Sequence, residues 1–297
     1  MRLARHAHDI SKNDHMRPPL PLLLALCCAT PTGHAGDRLL ATGGVMEVEG
    51  AAGGGLTPWA LIAGLGTDTQ AGASGYCTRV SPRDFTLESC GAAAGIANRL
   101  ELSVARQHFD LGSTVPGNTI SQTIVGAKLR VLGDAVVDQD RWWPQVAVGM
   151  QWKHNSDYDI VPKLLGAKHA DGIDYYLAAT RVWLAGPFGL SWLADLTLRE
   201  TEANQMGLLG FGGDRGGYRL MAEGSLGVFL ADNLVLGGEY RQKPNDLSAF
   251  REQDYKDAFI AWFPAKYASI TGGWAFLGNI ADKPSQQGSY ISLQVSW

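Results

Sequence analysis

The stretch Trp152-Lys-His-Asn-Ser-Asp157 holds the residues best spaced for covalent chemistry. His154 and Ser156 stand two apart, so on a strand they share a face, and Asp174 begins the next alternating segment. A serine hydroxyl deprotonated by an imidazole, itself oriented by a carboxylate, is a nucleophile for acyl transfer. The simpler reading is a polar rim above Trp152. Charged residues offer a second chemistry. Arg99, Glu101, Lys128, Arg130, Asp195, Arg199, Arg219, Glu223, Glu239, Arg241 and Asp257 fall on the polar phase of alternating segments. Mixed signs facing a common interior either set a transverse field across a passing solute or neutralise one another in a filled core. Cys77 and Cys90 flank the turn signal Ser81-Pro-Arg-Asp84, which sets them opposite each other on a hairpin. In an oxidising compartment such a pair can bridge, and two small buried thiols is the alternative. No metal spacing such as CxxC is present, and no cofactor is expected.

The elements that must position these groups are strands. Alternating segments of about 9 to 14 residues recur twelve times between residues 69 and 297. Val146, Val148, Met150 and Trp152 share one phase of such a segment, with Gln145, Gly149, Gln151 and Lys153 on the other. The connections alternate as well. Short turns at residues 96–99, 186–189, 231–233 and 264–266 contrast with longer polar or Gly-rich loops at 110–118, 155–171, 201–216, 244–254 and 278–288. Short turns at one end and long loops at the other, broken by a long connection at 134–142 and a short one at 81–84, are the asymmetry of an outer-membrane barrel, with the loops outside the cell. Trp142, Trp143, Trp183, Trp262 and Tyr267 sit near strand ends, where interfacial aromatics belong. The chain stops in mid-alternation at Ser289-Tyr-Ile-Ser-Leu-Gln-Val-Ser-Trp297. A terminal strand is obligatory in a barrel, because an open edge in lipid leaves backbone groups unpaired.

Composition agrees. Hydrophobic residues make up 45% and charged residues 18% of the 297, with 37 glycines, nine tryptophans and a formal net charge of −4. That balance excludes a basic nucleic-acid binder and an acidic disordered tail. Residues 1–35 contain the apolar run Pro21-Leu-Leu-Leu-Ala-Leu-Cys-Cys-Ala-Thr30 and a small-residue cleavage site at Ala35, the pattern of a secretory signal peptide. Met16 is an alternative start, and a lipoprotein anchored through Cys27 or Cys28 is the rival, disfavoured by the bulky Leu26. The expectation is therefore an all-β protein: a transmembrane antiparallel barrel of about 12 strands over 67–297, after the signal segment and a Gly-rich segment at 36–66. That Gly-rich segment reads first as a linker or extra structure near the periplasmic mouth. It could instead add a hairpin, giving 14 strands, or fold into the lumen as a plug.

Nearly the whole mature chain resembles a proteobacterial family of outer-membrane proteins catalogued as a domain of unknown function. The segments that carry this are Leu39–Thr67, Ala105–Gly117, Asn204–Asp214, Glu239–Leu247 and Leu277–Lys283. The resemblance implies a barrel in the outer membrane of a Gram-negative bacterium and supplies no catalytic residues. The aromatic terminal strand is similar to the C-terminal assembly signal of such proteins, which implicates Trp297 and the barrel-assembly machinery. The His154/Ser156 pair is similar to the outer-membrane phospholipase pattern over one hairpin, with Asp174 where that family has Asn.

The reading this supports is a passive channel or binding pore for a small amphipathic or weakly polar solute, in contact with outer-membrane lipid and lipopolysaccharide. A non-conducting structural barrel and a phospholipase-like hydrolase are the alternatives. Met206, Leu208, Leu209 and Phe211 lie among glycines in an outer loop, where four large apolar side chains need cover. An inward fold of that loop would make a constriction over the charged lumen.

Overall fold

The computed structural model describes residues 36–297, so the expected signal segment, with Cys27 and Cys28, lies outside the described residues. A short hairpin, β1 (Val45–Met46) and β2 (Ala52–Gly53), stands apart from the main sheet. The wall consists of β3 (Ala71–Pro82), β4 (Thr86–Ile96), β5 (Leu100–Asp110), β6 (Thr119–Leu132), β7 (Gln145–Asn155), β8 (Asp171–Trp183), β9 (Ser191–Thr201), β10 (Arg219–Ala231), β11 (Leu234–Arg241), β12 (Tyr255–Ala265), β13 (Ala268–Ile280) and β14 (Lys283–Ser296). Each wall strand pairs antiparallel with its sequence neighbours, and β14 pairs with β3, which closes a twelve-strand barrel.

The period of two decides which residue goes where. On β14, Ser292, Gln294 and Ser296 are buried inside, whereas Ile291 and Trp297 are exposed outside. Leu102, Val148, Leu177, Leu196, Leu226 and Ile260 are likewise exposed, while Arg199, Lys128 and Lys153 are among the most deeply buried side chains. This distribution inverts that of a soluble domain and suits a wall whose outer solvent is lipid. At the seam the Trp297 N–H donates to the Ala73 carbonyl at 2.9 Å, and the Ala73 N–H donates back at 2.8 Å.

Two expectations need correction. Residues 278–288 are not an outer loop, because β13 and β14 run on to a two-residue turn at 281–282, where Ala281 takes a φ of 51°. Arg99 does not line the lumen: it follows Ala97 and Asn98, both at positive φ, in the turn before β5, and its side chain is exposed. Its phase matches that of Glu101, but the turn reaches Arg99 and the strand begins one residue later.

The Gly-rich segment is neither a linker nor extra wall. Residues 43–66 are almost wholly buried inside the barrel, with β1 and β2 at their centre. The glycines make this approach sterically feasible. On the wall, a Cβ at Gly95 would lie 2.2 Å from the Ala63 carbonyl oxygen, so glycine there lets the segment's backbone lie against the sheet.

Candidate functional site

An irregular segment buried without water must have its backbone N–H and C=O groups bonded by something else. Here the wall's inward charges supply the partners. Lys128 Nζ donates to the carbonyls of Ala52, Trp59 and Leu61 at 2.8, 3.1 and 2.7 Å. Glu101, beside it at 3.2 Å, accepts from the N–H groups of Ala52 and Ala63. On the opposite wall, Glu239 accepts from the Gly55 and Leu56 N–H groups and from the Thr57 hydroxyl. The Val48 carbonyl accepts from Tyr76, Ser89 and Gln107 together. Thr180, Thr197 and Gln145 bond the chain from Pro58 to Ala60. The plug is therefore tied to strands all round the wall.

The turn between β1 and β2 carries Glu47 and Glu49 into the densest part of this network. Glu49 pairs with Lys153, with Arg241 at 2.6 Å and with Arg199 at 3.5 Å. Arg199 also binds Glu223 at 2.5 Å and Asp174 at 3.2 Å, and lies over the Tyr176 ring. Glu47 accepts from Gln151 at 2.6 Å, while its second oxygen is buried without a hydrogen bond.

From the long-loop end, the turn at Asn204–Gly207 enters the barrel, with Gln205 and Met206 at positive φ. Asn155 donates to the Gly207 and Leu208 carbonyls at 3.0 and 2.9 Å, and Gln122 donates to the Met206 carbonyl. Met206, Leu208, Leu209 and Phe211 are all buried. Lys243, in the next loop, donates to Gln205 and Glu252 and lies 4.1 Å from the centre of the Tyr255 ring. Burial lowers its ammonium from 10.5 to about 8, against the attraction of Glu252 and Asp254. Between the plug and this loop remains a cavity of about 50 Å³, lined by Val48, Leu56, Val80, Leu87, Met206, Leu208 and Tyr290, among others.

The structure places the sequence-singled residues unevenly. Glu101, Lys128, Asp195, Arg199, Glu223, Glu239, Arg241 and Asp257 face inward and are buried. Arg130 is at the short-turn mouth with Asp68 and Asp134, and Arg219 is at the other mouth with Asp246. Cys77 and Cys90 form a disulfide across β3 and β4, with Cα atoms 4.1 Å apart. The proposed triad does not assemble. His154 Nδ1 lies 2.8 Å from Asp171, its register partner on β8, whereas Asp174 points into the lumen and binds Lys153 and Thr201. An odd offset between residues 171 and 174 puts them on opposite faces. Ser156 is exposed in the turn after β7. Sequence reasoning put Gln145 and Lys153 on the polar phase without giving them a role, and missed Gln107 and Asn155, inward polar residues for which alternating phase was the available signal.

A family model described as a protein of unknown function (DUF3034) matches residues 42–294. No curated protein matches the chain. Among solved structures, the KdgM porin is 12% identical, aligned over 75% of this chain and 99% of that one, with a TM-score of 0.49. The NanC porin is also 12% identical, over 75% and 98%, with a TM-score of 0.48. An outer membrane channel from Pseudomonas putida F1 is 10% identical, over 76% and 95%, at 0.38.

Proposed function

Because this chain belongs to the DUF3034 family, whose description assigns no activity, we propose from its geometry that it is a closed channel of the Gram-negative outer membrane. Its resting lumen is sealed by residues 43–66, and its cargo is a small amphipathic or weakly polar solute. The observation that carries this is the separation of wall and plug. The wall closes completely through β3 and β14 without the plug, so the barrel does not need residues 43–66 to complete its sheet. A segment that is dispensable for closure yet fills the bore is the geometry of a gate. The apolar loop at the opposite mouth selects what reaches it. Delivery by a signal peptide at residues 1–35, insertion by the assembly machinery through the Trp297 strand and contact with lipopolysaccharide at the loop end belong to the same reading.

One observation favours a second reading. The plug's many bonds to the wall also suit a non-conducting structural barrel. Planar-bilayer recording separates the two. The whole chain should be silent, and a barrel lacking residues 43–64 should conduct in discrete steps. A plugless barrel that folds, shown by heat-modifiable migration, and still fails to conduct overturns the channel and leaves the structural reading.

A further inference from the structure

Among the described residues nine carboxylates and five cations are buried, and the surplus of acid is unevenly satisfied. Lys128 engages Glu101, Lys153 and Arg199 engage Asp174, Arg241 engages Glu49, and Lys243 engages Glu252. Arg199 also reaches Glu223 and Glu47, and Arg219 engages Asp246. Asp195 is held by the Thr180 and Thr197 hydroxyls, and Glu239 by two plug N–H groups and two hydroxyls. Asp257 has no cation, and its side-chain neighbours are the Tyr290 hydroxyl and the Glu239 carboxyl. The Tyr290 hydroxyl donates to Oδ2 at 2.8 Å, while Oδ1 is buried with no partner at all. Its register partner on β11 is Glu239, a second acid that adds to the local demand for positive charge.

Asp257 stands in the wall of the apolar cavity beneath the outer loop, next to Gly55 of the plug. A Cβ at position 55 would come within 3.2 Å of the Tyr290 hydroxyl and 3.5 Å of Asp257 Oδ2, so glycine keeps the approach to the carboxylate clear. A buried carboxylate short of partners in apolar surroundings is costly, and a ligand that supplies both donors and positive charge removes the cost. An alcohol supplies a donor only.

We propose that this cavity binds a small amphipathic amine, with its ammonium on the Asp257 carboxylate and its hydrocarbon against Val80, Leu87, Met206 and Leu208. The volume, about 50 Å³, admits a chain of one or two carbons. The proposal rests on the reading that solutes enter from the loop end, and it names the class that stops there.

The test is calorimetric titration of the folded full chain in detergent with ethylamine and with ethanol, which differ only in the head group. Ethylamine should bind at one site at least about tenfold more tightly than ethanol, the least that a charge-assisted bond to a buried carboxylate adds. Asp257→Asn should lower amine affinity by a similar factor and leave the alcohol unchanged. Tyr290→Phe, which keeps the carboxylate, should retain a preference for the amine. Equal affinity for the two probes, undiminished amine binding by Asp257→Asn, or no amine binding by folded protein would overturn the site. The outcome is separable from the channel reading. A barrel that binds ethylamine at Asp257 but never conducts when unplugged keeps the site and loses the channel. One that conducts and does not distinguish the probes keeps the channel and loses the site.

Discussion

The two segments that close the lumen enter from opposite ends and are held by different physics. Residues 43–66 bury Val45, Met46, Val48, Leu56, Trp59, Leu61, Ile62 and Leu65 among glycines and alanines, and their backbone is bonded by wall charges, as Lys128 does with three carbonyls at once. The outer loop at residues 204–211 brings Met206, Leu208, Leu209 and Phe211, and its wall partners are the amides Gln122 and Asn155. Where buried ions bond an irregular backbone away from water, removing one leaves both its backbone partners and its counter-ion unsatisfied. A neutral amide partner, lost, leaves no unpaired ion behind, so less rides on any single bond. The plug should therefore fail sharply when one wall charge is removed, and the loop should loosen by degrees.

The largest effect follows at Lys128. Replacing it with Met strands three plug carbonyls and leaves Glu101 buried without its cation, a loss of about 3–5 kcal/mol for a broken buried pair. Urea unfolding followed by heat-modifiable migration should show it, and a loss below about 1 kcal/mol, the net worth of one ordinary hydrogen bond, would erase the contrast between plug and loop. Leu209→Ala should come next. It removes buried apolar volume from the loop for about 2–3 kcal/mol, the low end for a buried leucine because a loop can collapse around the gap. Protease sensitivity should rise at residues 202–218 while unfolding of the wall stays at its parent midpoint. Deleting Trp297 removes two seam hydrogen bonds with Ala73 and one from the Leu65 N–H, worth roughly 2 kcal/mol in all. The amount of folded protein in membranes should fall; unchanged levels would deny the terminal residue an assembly role.

The smallest effect is a dependence on pH. The closed loop lowers the Lys243 ammonium from 10.5 to about 8 by burial, with Glu252 and Asp254 facing it. Between those two values an opened loop, its lysine in water, binds more protons than the closed one. Closure should thus strengthen as pH rises from about 8 toward 10.5 and stay at its weakest below 8. Hydrogen exchange of residues 204–212, corrected for the intrinsic rate, should show rising protection over that interval. Lys243→Met should flatten the profile, and a profile that falls with pH would contradict the assignment.

The wall was legible because its signal repeats. Twelve alternating segments, with Ile291 and Trp297 outward and Ser292 and Gln294 inward, fix both strand and face, and lipid outside makes the alternation stronger than in a half-buried soluble sheet. The inward charges were legible one at a time, but their partner was not. The glycine-rich stretch at residues 50–55 has no period, so composition alone reads it as a linker, and the partners of its backbone are set by wall residues up to 184 positions away. Register was the other blind spot. Asp171 rather than Asp174 meets His154 because pairing depends on how the 156–170 loop closes, and a shift between odd and even positions reverses the face.

Cross-linking tests the central claim, that residues 43–66 occupy the bore, most directly. Thr57 Oγ1 on the plug lies 2.6 Å from Ser225 Oγ on β10, so cysteines at both positions, in a chain with Cys77→Ser and Cys90→Ser, would face each other across that contact. The account predicts near-complete oxidation to a disulfide in native membranes, seen as a reducible shift in gel mobility, with neither thiol open to maleimide beforehand. Two free thiols that both react with a bulky maleimide in folded protein would place the segment outside the lumen and contradict the account.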